Sequence, residues 1–199
     1  MSIFRRLGLL APLAALSLAG CGINSVPTSE ENVNAKWGDL QAEYQRRADL
    51  VPNLVATVKG YAEQEKTVLT EVTEARAKAT SVQLNAGDLN NPQKVQAFQN
   101  AQNQRSGSLG RLLVSVEAYP NLKSNENFLT LQSQLESTEN EIRVGRRDYN
   151  DAVQQYNTLI RTFPTAIGAK VFYGAKPKVP FEASAAAQNA PTVNFGNAS

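Results

Sequence analysis

The chain of 199 residues carries 20 lysines and arginines, 18 aspartates and glutamates, one cysteine and no histidine. Without histidine it lacks the commonest general base and metal ligand, which excludes Ser-His-Asp and Cys-His nucleophilic centres. Arg5 and Arg6 account for the basic excess, so the chain from Cys21 onward has a formal charge of zero. This balance gives no electrostatic reason to expect nucleic-acid binding. The chain has no G-x-S-x-G, P-loop or G-x-G-x-x-G motif, so we predict no cofactor and no enzymatic activity.

The first 20 residues have the layout of a bacterial secretory signal peptide, with arginines followed by an apolar stretch. That stretch runs from Leu7 to Ala19, which is too short to span a bilayer. The tetrapeptide Leu18-Ala19-Gly20-Cys21 closes it and resembles the lipobox of bacterial lipoproteins. The resemblance implies that residues 1–20 are removed and that Cys21 is acylated. Two or more acyl chains give a stable membrane anchor.

Two alternatives remain for this segment: a cleaved signal whose Cys21 is a free thiol, and an uncleaved anchor. We predict a lipid-anchored protein of the bacterial envelope, facing the periplasm or the exterior. Gly22 stands where an aspartate would resemble an inner-membrane retention signal, which favours the outer membrane in a cell that has two membranes.

Residues 21–28 are predicted to form a short tether, and a heptad seam begins beyond it. Apolar or permissive residues recur there at alternating steps of four and three, which is typical of helices packed side by side. The positions are Val33, Trp37, Leu40, Tyr44, Val51, Leu54, Val58, Tyr61, Val68, Val72, Ala75, Ala79 and Val82, with Arg47 and Glu65 in the two gaps.

Pro52 leaves two architectures open. A proline inside a helix removes a hydrogen bond and kinks the helix. Because the seam keeps its phase through Pro52, we favour one bent helix over residues 29–82. The alternative is a chain reversal at Pro52, with Asp49 capping a second helix.

Two further helical regions follow a turn at residues 85–92. Pro92 suits the first turn of the second helix, and Pro120 ends it. Gly107 and Gly110 predict a weak or closely packed spot within it. Ser124 or Asn125 can cap the third helix, whose seam is Phe128, Leu131, Leu135, Thr138, Ile142, Gly145, Tyr149, Ala152, Tyr156, Leu159 and Phe163.

The predicted fold is therefore all-α: an antiparallel bundle of three long helices, or of four if the first reverses at Pro52. Residues 167–181 contain glycines, prolines and aromatic residues, and are predicted to pack as a strap over one end of the bundle. Residues 182–199 are too poor in large apolar side chains to fold alone and are predicted to be a disordered tail.

Several blocks of the chain resemble the LemA family, over roughly residues 33–181. The blocks are Arg46-Arg47-Ala48-Asp49-Leu50-Val51-Pro52-Asn53-Leu54-Val55, Val58-Lys59-Gly60-Tyr61, Glu117-Ala118-Tyr119-Pro120-Asn121-Leu122-Lys123, Asn125-Glu126-Asn127-Phe128, Leu131-Gln132, Glu139-Asn140 and Arg146-Arg147-Asp148-Tyr149-Asn150. The resemblance implies a helical, membrane-anchored bacterial envelope protein, with a LemA-like bundle over residues 29–181. Many family members use an N-terminal transmembrane helix, and the lipobox departs from that pattern. The family has no assigned catalytic residues, so the resemblance implies no activity.

Two arginine pairs are the strongest candidates for contacts with a partner or an anion: Arg46 with Arg47, and Arg146 with Arg147. Arg47 falls on the seam, where a buried charge needs a partner. We expect a salt-bridge layer between helices, with Glu139 or Asp148 as the carboxylate. Glu65 is interpreted in the same way, and the seam tyrosines as core residues.

These features favour a non-enzymatic envelope lipoprotein that acts as a helical scaffold or adaptor for another envelope protein. One alternative is self-assembly into a structural coiled coil as a homo-oligomer. Another is an accessory enzyme of the cell wall or of lipids that works through carboxylates such as Glu117, Glu126 and Glu139.

Overall fold

The computed structural model describes residues 24–62 and 65–182, and this part of the chain is all-α, as predicted. Residues 1–23, with the predicted signal peptide and Cys21, and the predicted tail from residue 183 lie outside it. The helices are α1 (Ser25–Lys59), α2 (Lys66–Ser81), α3 (Pro92–Val116), α4 (Pro120–Lys123), α5 (Glu126–Leu159) and α6 (Thr165–Val171), with a 3₁₀ turn at Ala86–Asp88. No helix in the described ranges is long and apolar enough to cross a membrane.

The four longest helices run alternately up and down, so each is antiparallel to its neighbour in sequence. Helix α5 returns along α1 so closely that a Cβ atom at Gly145 would lie 3.2 Å from Cδ1 of Leu40. Helix α2 returns along α1, and α3 along α2, where Arg111 pairs with Glu71 at 3.0 Å. This is the up-down-up-down connection of an antiparallel four-helix bundle.

The first helix ends sooner than the sequence predicts. Helix α1 begins at Ser25, inside the predicted tether, and ends at Lys59. The prediction of one helix over residues 29–82 is therefore wrong, and the chain reverses between α1 and α2. Tyr61 leaves the helix there and is 48% exposed, whereas Ala62 is buried in its place. The unbroken apolar spacing did not reveal the reversal, because α2 packs through the apolar face of its own residues whether or not α1 continues into it.

Pro52 does not reverse the chain either, since it lies inside α1. A proline cannot donate to the carbonyl four residues before it, which here belongs to Ala48. That carbonyl instead accepts a hydrogen bond of 2.9 Å from Nε of Arg76 on α2. The guanidinium replaces the missing backbone donor, which lets the helix continue through the proline.

The other helix boundaries largely follow the sequence. Asn125 caps α5, its side-chain oxygen accepting from the backbone N–H of Phe128 at 3.1 Å. Pro92 opens α3, as predicted. The weak or closely packed spot expected at Gly107 and Gly110 is continuous helix, and a Cβ atom at Gly110 would meet nothing within 4 Å.

The strap predicted over residues 167–181 is partly helical: its first five residues lie in α6, and the segment after α6 runs back along α5. Asn157 holds Lys178 by two hydrogen bonds, one to its carbonyl and one from its N–H, both 2.8 Å. Asn150 holds Phe181 in the same way, also at 2.8 Å. The ring of Phe181 stacks on Trp37 with centroids 5.9 Å apart, so the strap completes the core at this end.

Candidate functional site

A layer of polar side chains divides the core of the bundle into two apolar halves. One half surrounds Trp37 and Tyr149, and the other surrounds Leu54 and Leu112. All four long helices contribute to this polar layer, which consists of Arg47, Arg76, Gln102, Arg105, Ser106 and Glu139. Polar layers in helical bundles fix which faces meet and in what register.

Arg47 is the centre of the polar layer and is only 1% exposed. Its Nη1 donates to Oε1 of Glu139 at 2.6 Å and to Oγ of Ser106 at 2.5 Å. Its Nη2 donates to Oε1 of Gln102 at 2.7 Å. A buried guanidinium is tolerable only with such partners. The interhelical ion pair expected for Arg47 is thus present, with Glu139 as the carboxylate, while Asp148 pairs with Arg147 at 3.3 Å.

Arg105 gives the polar layer an excess of positive charge. It is 2% exposed, and within the described residues its Nε and Nη2 have no hydrogen-bond partner. Burial, reinforced by the nearby charges of Arg47 and Arg76, lowers the pKa of Arg105 to about 10. An unpaired buried charge costs free energy of folding, so this position weakens the bundle.

An open cleft of about 340 Å³ lies beside the polar layer, between α3, α5 and the strap. We call it the arginine cleft because Arg47, Arg143, Arg146 and Arg147 all line it. Arg143 and Arg147 are exposed, whereas Arg47 forms the floor.

Arg146 is fixed in the wall of the arginine cleft. Its Nε donates to the Tyr44 hydroxyl at 2.8 Å and its Nη2 donates to Oδ1 of Asn103 at 3.3 Å. Its guanidinium also lies over the rings of Tyr44 and Phe181, at 5.8 and 5.7 Å from their centroids. Burial raises the pKa of Tyr44, against the opposing effect of Arg146, so the phenol stays neutral and forms no ion pair with the guanidinium.

The structure therefore brings three of the four predicted arginines together and leaves one apart. Arg47, Arg146 and Arg147 share the arginine cleft. Arg46 does not line it; this exposed side chain lies 3.9 Å from Glu43 on α1. That these arginines contact a partner or an anion stays a prediction, as does acylation of Cys21, which lies outside the described residues.

Other seam predictions have mixed outcomes. Tyr44, Tyr149 and Tyr156 are buried core residues, as expected, whereas Tyr119 is only partly buried and the prediction is wrong for Tyr61, which is 48% exposed. Glu65 does not form a mid-helix polar layer; it accepts from the Tyr119 hydroxyl at 2.9 Å, near the chain reversal.

Arg76 and Arg143 were missed because nothing about their spacing distinguishes them from solvated charges. Only the carbonyl left free by Pro52 signals that a donor such as Arg76 is required.

The chemistry that the arginine cleft supports is recognition of anions. Guanidinium groups bind carboxylate and phosphate oxygens through paired hydrogen bonds, and they remain charged at any physiological pH. Two carboxylates line the cleft, of which Glu139 is committed to Arg47 and Glu182 lies on the strap. Across residues 24–62 and 65–182, no three histidine, cysteine or acidic side chains form a metal-binding cluster.

The described residues thus define a helical-bundle protein with a central polar layer and a cationic cleft on one side. Comparison with family models matches residues 36–195 to the LemA family. The chain belongs to the LemA family, which confirms the resemblance seen in its sequence blocks.

The individual curated relatives share 24–26% sequence identity with this chain. The chain is 25% identical to magnetosome protein MamQ 1 of Paramagnetospirillum magneticum over 160 residues, covering 71% of this chain and 58% of that protein. It is 26% identical to Protein LemA of Metamycoplasma hominis over 126 residues, covering 63% and 53% respectively. It is 24% identical to magnetosome protein MamQ of Magnetospirillum gryphiswaldense over 159 residues, with coverage of 71% and 58%. The chain therefore spans little more than half the length of these relatives.

Proposed function

We propose that this protein is a lipid-anchored, non-enzymatic scaffold or adaptor of the bacterial envelope. Acylated Cys21 holds it on a membrane, which is the outer membrane in a cell with two. The bundle presents the arginine cleft to an acidic segment of another envelope protein.

The observation that carries this proposal is that one of the clustered arginines is paired in the interior while two others are exposed. The buried Arg47 forms an ion pair with Glu139, whereas the side chains of Arg143 and Arg147 are exposed to solvent in the same cleft. Within the described residues, the ion-pair partner of Arg147 is the partly exposed Asp148, at 3.3 Å, and such pairs near the surface contribute little and exchange readily. Cations carried on one rigid helix are suited to pair with a partner's carboxylates, because the backbone that holds them needs no ordering on binding.

Photo-crosslinking in living cells tests this proposal. A photoreactive amino acid replaces Arg143 or Arg147 in the cleft, and Glu74, exposed on α2, serves as the control position. Crosslinked proteins are identified by mass spectrometry. A reproducible envelope protein captured from the cleft positions but not from residue 74 is the expected result.

The other results are also informative. Capture of the same chain from the cleft positions would favour the self-assembling alternative, and the absence of any specific neighbour would contradict the adaptor role. Arg147→Glu is expected to abolish capture at residue 143, whereas Arg111→Glu on α3 should leave it intact. The anchor is tested separately, because Cys21→Ser should move the protein out of the membrane fraction.

A further inference from the structure

Exposed apolar side chains cluster at one end of the bundle. The described residues expose eight large apolar side chains, and five of them lie between residues 163 and 173. We call these five the apolar end patch: Phe163, Ile167, Val171, Phe172 and Tyr173. Single exposed apolar residues are ordinary, but a contiguous group marks an interaction surface.

Helix α6 gives the apolar end patch its shape. Gly168 and Ala169 are buried against the bundle. Ile167 and Val171, which are one turn apart, share the opposite face and are 59% and 69% exposed. The helix is thus apolar on its solvent side as well, which a purely structural surface helix would not be.

The charges on the segment that carries the patch all have one sign. Arg161, Lys170 and Lys176 are exposed, and the sequence from residue 159 to 181 contains no aspartate or glutamate. Lys178 is buried and already paired with Glu30 on α1 at 2.7 Å. Exposed apolar side chains flanked by lysine and arginine are typical of surfaces that lie in the interface of anionic membranes.

The patch lies at the end of the bundle where the chain enters α1. Glu30, in the second turn of α1, pairs with Lys178 at 2.7 Å, and the backbone N–H of Lys178 donates to Asn157 near the end of α5 at 2.8 Å. Cys21 precedes Ser25 by only four positions, so the fully extended chain holds it within about 14 Å of that residue. A lipid on Cys21 would therefore enter the membrane beside the patch.

We propose that the apolar end patch inserts into the interface of an anionic lipid surface and orients the bundle on the membrane. This inference rests on the acyl anchor of the proposed function, and it adds a second, noncovalent attachment. With the patch in the interface and α5 pointing away from it, the arginine cleft at Arg143 stands about 25 Å beyond Ile160. The anchor would then fix the height at which a partner meets the cleft.

Tryptophan quenching by lipid tests the orientation. The full acylated protein carrying Phe172→Trp is reconstituted into phosphatidylglycerol vesicles whose acyl chains are brominated. Val114→Trp is the matched control, because Val114 is 73% exposed at the opposite end of the bundle. The native Trp37 is buried and supplies a constant background.

The expected result is that the emission of Trp at 172 is quenched, whereas the emission of Trp at 114 is unchanged. Lys170→Glu combined with Lys176→Glu should reduce this loss in phosphatidylglycerol vesicles more than in phosphatidylcholine vesicles. Equal quenching in both lipids before and after these changes would overturn the anionic preference.

The failures can be told apart. Vesicle-bound protein with unquenched Trp at 172 would overturn the patch proposal and leave the acyl anchor standing. If the protein is recovered outside the vesicles after reconstitution, the proposed acyl anchor is overturned. The patch proposal would still be supported if Trp at 172 in that protein were quenched when fresh vesicles are added. A blue shift of the Trp emission at 172 in the absence of lipid would overturn the proposal, because something other than lipid would then cover the patch. A shift that grows with protein concentration would show that a second copy covers it. A shift that vanishes when residues 183–199 are removed would show that the tail covers it.

Discussion

Replacing Arg76 by methionine should uncover the weakness that Pro52 introduces into α1. The Ala48 carbonyl has lost its backbone donor to the proline and accepts from Nε of Arg76 at 2.9 Å. Methionine keeps much of the apolar stem but removes the donor. Ala48 is 3% exposed, so water has poor access to the carbonyl that the variant leaves free.

The magnitude follows from the type of hydrogen bond. A bond from a charged donor contributes about 1.5–3 kcal/mol, and an unsatisfied buried carbonyl costs a similar amount. We expect Arg76→Met to lower the free energy of unfolding by about 2 kcal/mol. In a Pro52→Ala background the helix regains its own donor to Ala48, so the same change should cost less than about 1 kcal/mol.

The assay is a double-mutant cycle in urea, with unfolding followed by circular dichroism and by the fluorescence of Trp37. Lys78→Met is the matched control, because Lys78 is an exposed cation on the same helix, and it should change stability by no more than about 0.5 kcal/mol. Pro52→Ala alone should stabilise the protein, since proline costs about 3 kcal/mol more than alanine in a helix interior.

Equal costs of Arg76→Met in the two backgrounds would refute this reasoning, because Arg76 would then stabilise the bundle independently of the proline. A cost near that of Lys78→Met would show that the Ala48 carbonyl finds another donor, such as water.

Three further outcomes are expected. Glu139→Gln should lower the free energy of unfolding by about 1–2 kcal/mol, because it removes the carboxylate from the buried charge of Arg47 but leaves an oxygen acceptor on a side chain that is 42% exposed, whereas the exposed Glu136→Gln should be neutral in the same urea titration. Arg105→Met should raise stability by about 1–4 kcal/mol, because it removes a buried charge that has no ion pair among the described residues; a loss would show that Arg105 has a stabilising partner. Burial raises the pKa of Tyr156 to about 12, so above pH 10 the unfolded chain binds fewer protons than the native protein. Stability should therefore fall from about pH 10 through about pH 12. Tyr156→Phe should flatten that fall in unfolding measured against pH, and an unchanged slope would contradict the burial argument.

Local rules in the sequence account for much of the fold. The four-three spacing of apolar residues predicted helices packed side by side, and Val33, Leu40 and Leu54 are buried as that spacing requires. The amide of Asn125 and the proline at position 92 marked helix starts that the structure confirms. Such signals act over one or two turns, so they can be recognised without knowing the rest of the chain.

The apolar spacing does not give the position of the chain reversal. A heptad phase describes which face of a helix is apolar, and it reads the same whether the next segment continues or turns back. Continuation of α1 through Pro52 is supported by Arg76, which lies 24 positions after the proline and supplies the donor that the helix lacks, and the helix ends only at Lys59, with Gly60 at its C-cap.

The sequence by itself determined that the chain forms an all-α bundle, and that Arg47 on an apolar seam must find a partner. Only the tertiary structure decided that Glu139 is that partner, that Arg146 and Arg147 share a cleft with it, and that Asn150 and Asn157 hold the strap. The physical reason is the range of the interactions. Periodicity and capping depend on neighbours along the chain, whereas a buried polar group accepts whichever partner the packing of distant segments brings within about 3 Å.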